Sequence, residues 1–156
     1  MGCKERLETY LRDNGVPFQV QQHRIAFTAQ RVAAVEHVSG RMVAKVVMTV
    51  ADGKPTMLVL PAPQRVDLAK ATAALKARDV RLAHEEEFAS FFPDCEVGAE
   101  PPFGNLYGLP VYVDRELTRD DTIVVEAGTY TETLSLKFAD YQRLVQPTIA
   151  DLARRL

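Results

Sequence analysis

Several things are scarce in this chain, and each scarcity removes a class of function. Basic charge is not in excess: 19 Lys and Arg stand against 21 Asp and Glu, a formal net charge of −2. Gripping a long stretch of nucleic-acid backbone needs a broad basic surface, so that class is excluded; contact with only the end of an RNA is not. Cysteine is nearly absent, and Cys3 and Cys95 give neither a metal-like spacing nor a disulfide framework. Asp94 and Glu96 flank Cys95, and negative neighbours raise a thiol pKa, which argues against a cysteine nucleophile. The three histidines, His23, His37 and His84, form no H-x-x-x-H or H-x-C spacing. A metal site is therefore not expected, and each imidazole reads as solvated or structurally bonded. No uninterrupted apolar stretch approaches the ~20 residues that span a membrane. The charged start, Met1-Gly2-Cys3-Lys4-Glu5-Arg6, lacks the apolar core of a signal peptide, and Arg6 stands where N-myristoylation wants Ser or Thr. Repeats, low-complexity tracts and linkers are missing too. The expectation is a cytoplasmic protein with no membrane association and no cofactor. With no heptad or unusually apolar face, it is a monomer or a weak dimer.

What is present suits one full-sized core: 156 residues, 47% hydrophobic, read as a single domain over 1–156. Residues 3–13 read as an amphipathic helix with Leu7, Tyr10 and Leu11 on one face, ended by Asn14-Gly15 and Pro17. Phe18 to His23 alternates as a strand does, and Thr28 caps a second helix over Ala29 to Val38. Met42 to Ala51 and Thr56 to Leu60 predict a hairpin around Asp52-Gly53. Asp67 caps an alanine-rich helix from Leu68 to Ala77, Arg81 to Ala83 is a short strand, and Glu85 to Phe92 is a helix closed by Pro93. Strands follow at Pro110 to Asp114, Thr122 to Ala127 and Thr133 to Leu136. Two helical segments, Ala139 to Val145 and Ile149 to Leu156, flank Pro147. Helices and strands interleave without strict βαβ repeats. The expected fold is an α/β (α+β) domain with a mixed, largely antiparallel, curved sheet flanked by helices.

Two features carry chemistry. Lys45 lies in the apolar strand Val43-Ala44-Lys45-Val46-Val47-Met48, where removing an ammonium from water costs several kcal/mol or more. A lysine kept there has an anionic partner, has chemistry to perform, or snorkels to water from a strand end. The loop Gly98-Ala99-Glu100-Pro101-Pro102-Phe103-Gly104 is stiff and can bring backbone N–H groups close to an anion. Proline has no N–H, so the donors would come from Gly98, Ala99, Phe103 or Gly104.

Lys45 on its strand and the G-x-x-x-P element from Gly98 to Pro102 together resemble the YbaK/prolyl-tRNA synthetase editing-domain family. Thr28-Ala29-Gln30 opening the second helix, Asp114, and Glu126-Ala127-Gly128 ending a late strand extend the resemblance over about Phe18 to Tyr141. It implies a YbaK-like fold and a free-standing aminoacyl-tRNA deacylase that proofreads translation. Such a protein hydrolyses the ester joining a wrong, small amino acid to the 3′ end of a tRNA. Alanine or cysteine on tRNA-Pro is the expected substrate. In the family the strand lysine, here Lys45, anchors the terminal adenosine or its phosphate, and the Gly98 to Pro102 loop places the aminoacyl carbonyl and amine. The substrate's own ribose hydroxyl assists the attacking water. Ala99, Phe103, Gly104, Thr28, Asp114, Gly128 and Tyr130 are the further substrate-binding candidates, and the partners implied are the aminoacyl-tRNA 3′ end and an aminoacyl-tRNA synthetase.

One position departs from the pattern. Many family members carry histidine near Tyr130, and a tyrosine with its ordinary pKa near ~10 is a poor base at neutral pH. Two alternatives to the enzyme therefore stand: a module that binds aminoacyl-tRNA or an aminoacyl nucleotide without turnover, and an interaction domain serving a synthetase.

Overall fold

The computed structural model describes residues 2–23 and 42–154 of the chain. It opens with helix α1 (Cys3–Asp13), whose Leu7 and Leu11, one turn apart, are fully buried. Burying each stabilises the fold by about 1.5–3 kcal/mol. The helix stops where Asn14 returns its side-chain N–H to Tyr10 O at 2.8 Å and Gly15 turns through φ +67°. The short strand β1 (Gln19–Gln22) follows.

Strands β2 (Val43–Ala51) and β3 (Lys54–Pro61) form the central hairpin. Its two turn residues, Asp52 (φ +49°) and Gly53 (φ +82°), both take the positive φ that a type I′ turn requires. The Asp52 carboxylate also accepts the backbone N–H groups of Arg78 and Asp79, fixing the turn to a distant loop. Beyond β3 come β4 (Arg65–Val66), α2 (Leu68–Leu75), β5 (Val80–Leu82) and α3 (Glu85–Phe91). Asp67 caps α2 by accepting Lys70 N–H at 3.1 Å, as its position predicts. The rest of the chain gives β6 (Val111–Asp114), β7 (Thr122–Glu126), β8 (Glu132–Lys137), α4 (Phe138–Val145), β9 (Thr148–Ala150) and β10 (Ala153–Arg154).

Eight strands make one mixed sheet in the order β1-β8-β7-β2-β3-β6-β9, with β5 also paired to β2; β4 and β10 form a separate ribbon. Four of the main sheet's pairings are antiparallel and three are parallel, so the antiparallel character is narrower than expected. One face carries the principal core, built from α1, Met48, Val59, Phe103, Leu134 and Tyr141. A second cluster on the opposite face joins Leu58 and Leu60 to Ala71 of α2 and to Leu152 and Ala153. Among the described residues no helix is long and apolar enough to cross a membrane.

The expected helix over Ile149 to Leu156 is not formed. Thr148–Ala150 instead pairs in parallel with β6, and Ala153–Arg154 pairs with β4. A helix that short is marginal by itself, and partners elsewhere take its backbone donors: the Asp114 carboxylate accepts Leu152 and Ala153 N–H at 2.9 and 3.2 Å. The expected helix from Ala29 to Val38, with Thr28 and His37, lies outside the described residues.

Candidate functional site

Lys45 stands where β2 loses a neighbour. With β3 along one edge, the other edge of β2 meets β7 only at Val43 and Ala44, and β5 only from Thr49. Met48 O is closed by Ala83 N–H at 2.9 Å, so among the described residues the edge is open over Lys45, Val46 and Val47. Alternation places Lys45 on the face of Val43 and Val47, away from Ala44 and Met48 in the principal core. The ammonium is half-buried and forms no ion pair with a carboxylate among the described residues. Burial first, and the like charge of Arg65 second, lower its pKa. Glu126, which ends β7 one residue past the last registered pair, is buried.

The end of β7 leads into the Gly128 turn, which lies against the glycine–proline loop. Gly128 N–H donates to Ala99 O at 2.8 Å, and Glu96 N–H donates to Gly128 O at 2.9 Å, zipping the two loops together. Both glycines at this junction, Gly98 (φ +91°) and Gly128 (φ +96°), hold backbone that a β-carbon resists. A β-carbon on Gly128 would also lie 2.5 Å from the Cys3 sulfur. Tyr130 closes the arrangement: its N–H donates to Glu96 Oε2 at 2.8 Å and its hydroxyl donates to Val97 O at 2.6 Å. Burial, followed by the charges of Glu96, Glu100 and Glu85, raises the Tyr130 pKa and favours the protonated phenol. Pro102 O accepts the hydroxyl of the fully buried Tyr141 at 2.7 Å, and Phe103 packs edge-on against the Tyr141 ring.

Three of the four expected loop donors already have acceptors. Gly98 N–H donates to Glu100 Oε1 at 2.9 Å, Ala99 N–H to Glu96 O at 3.0 Å, and Phe103 N–H to Pro101 O at 2.8 Å. Gly104, which opens a 3-10 turn to Tyr107, is the remaining candidate. Its small size has a packing reason, since a β-carbon there would meet Val111 Cγ2 at 2.7 Å. Glu100 escaped the sequence reading. Only 4% of it is exposed, and burial, opposed by hydrogen bonds from backbone N–H groups, raises its pKa. The signal was a carboxylate held between a glycine and two prolines in a loop too stiff to let it out.

Asp114 has a structural task. Fully buried, it accepts N–H groups from Glu116, Leu152 and Ala153, which anchors the carboxyl-terminal strands. His23 sits at the end of β1, with its N–H on Thr131 O at 2.8 Å, and His84 is an exposed cap of α3. Clefts of about 400 Å3 beside the β2–β3 turn and about 550 Å3 between Thr118 and Gln142 contain none of the expected site residues.

The cysteines require a correction. Cys3 and Cys95, separated by 92 residues, are joined in a disulfide with their Cα atoms 5.1 Å apart. No local spacing announces such a pair; the fold makes it by laying α1 against the segment that leads into the Gly98 loop. Around it Tyr107 donates to Asp94 Oδ1 at 2.9 Å, and Arg6 stacks 4.6 Å from the Tyr107 ring centre, pairs with Asp94 and donates to Leu106 O. Asp94 and both sulfurs form a donor cluster, but sulfurs bonded to each other are not thiolate ligands.

Comparison with known proteins gives a consistent picture. The aminoacyl-tRNA editing domain model matches residues 23–144. The chain is 27% identical over 155 residues to the Multifunctional Ser/Thr-tRNA deacylase ProXp-y of Escherichia coli, covering 96% of this chain and 92% of that protein. It is also 30% identical over 106 residues to the proline–tRNA ligase of Acidithiobacillus ferrooxidans, a match covering 67% of this chain and 18% of the ligase. Among solved structures, one described as a candidate trans-editing enzyme for prolyl tRNA synthetase superposes with a TM-score of 0.85 at 22% identity, covering 98% of both chains. A hypothetical protein superposes at 0.87 and 18% identity, covering 96% of this chain and 99% of the other.

Proposed function

This chain belongs to the aminoacyl-tRNA editing-domain family, and from that premise we propose that it is a deacylase acting in trans on mischarged tRNA. The bond broken is the ester between the amino acid and the terminal ribose. The relative that reads almost end to end with this chain is named for Ser/Thr-tRNA, so small hydroxyl amino acids are the first substrates to test, ahead of alanine and cysteine. The match to a proline–tRNA ligase makes a synthetase a candidate partner.

The observation that carries the proposal is Lys45: a half-buried cation in a gap of the sheet, without an ion-pair partner among the described residues. An anionic ligand completes such a site, and the terminal phosphate of a tRNA is one. The zipped loops of Gly98 to Pro102 and Gly128 to Tyr130 form the rigid wall that would hold the aminoacyl group. An aminoacyl ester is already activated, so positioning it and stabilising the developing oxyanion can supply much of the acceleration without a protein nucleophile. Gly104 N–H is the donor that remains for that oxyanion. The commitment of the Gly98, Ala99 and Phe103 donors within the loop favours one alternative, a module that binds without turnover.

A deacylation panel separates the two. The protein and its Lys45→Ala variant are incubated with tRNAs carrying serine, threonine, alanine, cysteine or proline. Multiple turnovers on one mischarged species are expected. Losing a charge-assisted hydrogen bond worth about 1.5–3 kcal/mol should lower kcat/KM about 10- to 150-fold in the variant. Stoichiometric binding with no release from any member would replace the enzyme by the binding module.

A further inference from the structure

The β4–β10 ribbon carries a feature that editing of an ester does not explain. Its register sets Arg65 directly opposite Arg154, and like charges in that position destabilise a strand pair. The adjoining pair, Val66 and Ala153, faces the apolar cluster beneath, so the two guanidinium groups stand together on the exposed side. Neither forms an ion pair among the described residues. Nearby cations do otherwise: Lys70 and Arg115 both reach Asp151, at 3.3 and 3.8 Å. The ribbon is also firmly mounted, by Asp67 N–H on Leu152 O at 2.8 Å and by the Asp114 carboxylate on Leu152 and Ala153 N–H. Arg65 follows the end of β3, where Leu60 pairs with Lys45 and Ala62 N–H donates to Val43 O at 2.9 Å. Three cations thus accumulate locally in a chain whose net charge is −2.

We infer that Arg65 and Arg154 form a docking surface for the phosphates of the RNA strand leading to the ester, continuous with the Lys45 site. Two exposed guanidinium groups on an anchored ribbon suit phosphate oxygens, which accept their parallel N–H donors in pairs. Relief of the Arg65–Arg154 repulsion then adds to binding. The inference rests on the deacylase reading and adds to it the residues that hold the RNA strand outside the reacting centre.

The test is the salt dependence of binding by the full chain, with deacylated total tRNA as probe. Each cation that neutralises one phosphate of a single strand contributes about 0.7 to the slope of log Kobs against log salt. Arg65→Ala/Arg154→Ala should therefore flatten the slope by about 1.4. Between 50 and 200 mM KCl the wild type should lose about sevenfold more affinity than the double variant. In the deacylation assay KM should rise at low salt while kcat holds, and Arg65→Lys/Arg154→Lys should restore the slope. Equal slopes and equal KM in wild type and double-alanine variant, with wild type still deacylating, overturn this inference and leave the deacylase reading intact. A lysine variant as defective as the alanine one also overturns it, because the loss then follows ribbon structure and not charge. If the wild type neither binds nor deacylates any tRNA, the deacylase reading fails and this inference falls with it.

Discussion

Reducing the Cys3–Cys95 bond should cost stability far more than activity. The bond closes a loop across 92 residues of sequence, most of the described chain. A crosslink of that span removes loop-closure entropy from the unfolded state worth about 4.6 kcal/mol at 25 °C. Reduction leaves both sulfurs in place, and Cys3 is only 4% exposed, so no cavity is created and this entropy is the main loss. For a chain of this size each kcal/mol moves Tm by about 2–4 °C, which predicts a fall of about 9–18 °C on adding a phosphine reductant. The contacts around the bond survive reduction: Cys3 N–H on Asp94 O, Tyr107 on Asp94, and the Arg6 stack. The loop that follows should therefore keep its position, and deacylation at 25 °C should change less than about twofold. Circular dichroism melts of oxidised and reduced protein, with thiol titration after unfolding, provide the measurement. Two titratable thiols in the oxidised sample, or a Tm within about 2 °C of the reduced one, would refute the argument.

Two further perturbations test buried carboxylates. Glu100→Gln keeps an oxygen to accept Gly98 N–H but removes a carboxylate whose pKa burial raises. A raised carboxyl favours the fold most below its ordinary value of 4.5 and loses that contribution as pH climbs through the folded-state value. The Tm difference, variant minus wild type, should therefore grow from pH 4.5 to pH 7; a flat difference would show that this carboxyl does not titrate with folding. Asp114→Ala leaves the N–H groups of Glu116, Leu152 and Ala153 without their acceptor. At about 1–3 kcal/mol for each buried donor, a loss of roughly 3 kcal/mol or more is expected in urea unfolding, with faster proteolysis after Pro147. A loss below about 1 kcal/mol would mean that the aspartate does not anchor the carboxyl-terminal strands.

The elements that could be read from sequence are those whose instructions are local. Asp52-Gly53 states a hairpin because only certain residues accept two successive positive φ angles, and Asp67 states a helix start because its carboxylate meets the first free N–H groups. Leu7 and Leu11 gave the buried face of α1 by spacing alone. The segment after Pro147 failed for the complementary reason. Its residues tolerate either helix or strand, and the deciding bonds come from β6, β4 and Asp114, all remote in sequence.

The same division runs through the site. Lys45 was conspicuous because an ammonium in an apolar strand conflicts with its neighbours at short range. Asp114 is ambiguous in sequence, because an acid ending a strand looks the same whether it faces a ligand or a row of backbone N–H groups. Glu100 was missed for the opposite reason, since a charged residue in a glycine–proline loop normally points to water. Cys3 and Cys95 had no chance of being paired from spacing, because the residues between them carry no record of a 5.1 Å approach. Arg65 and Arg154 show most sharply what the fold adds. Each is unexceptional in sequence, and only the β4–β10 register turns them into adjacent positive charges. A protein of balanced composition can hold a polyanion only by concentrating its cations locally. Here the β4–β10 register sets two of them side by side, just after the strand that pairs with Lys45.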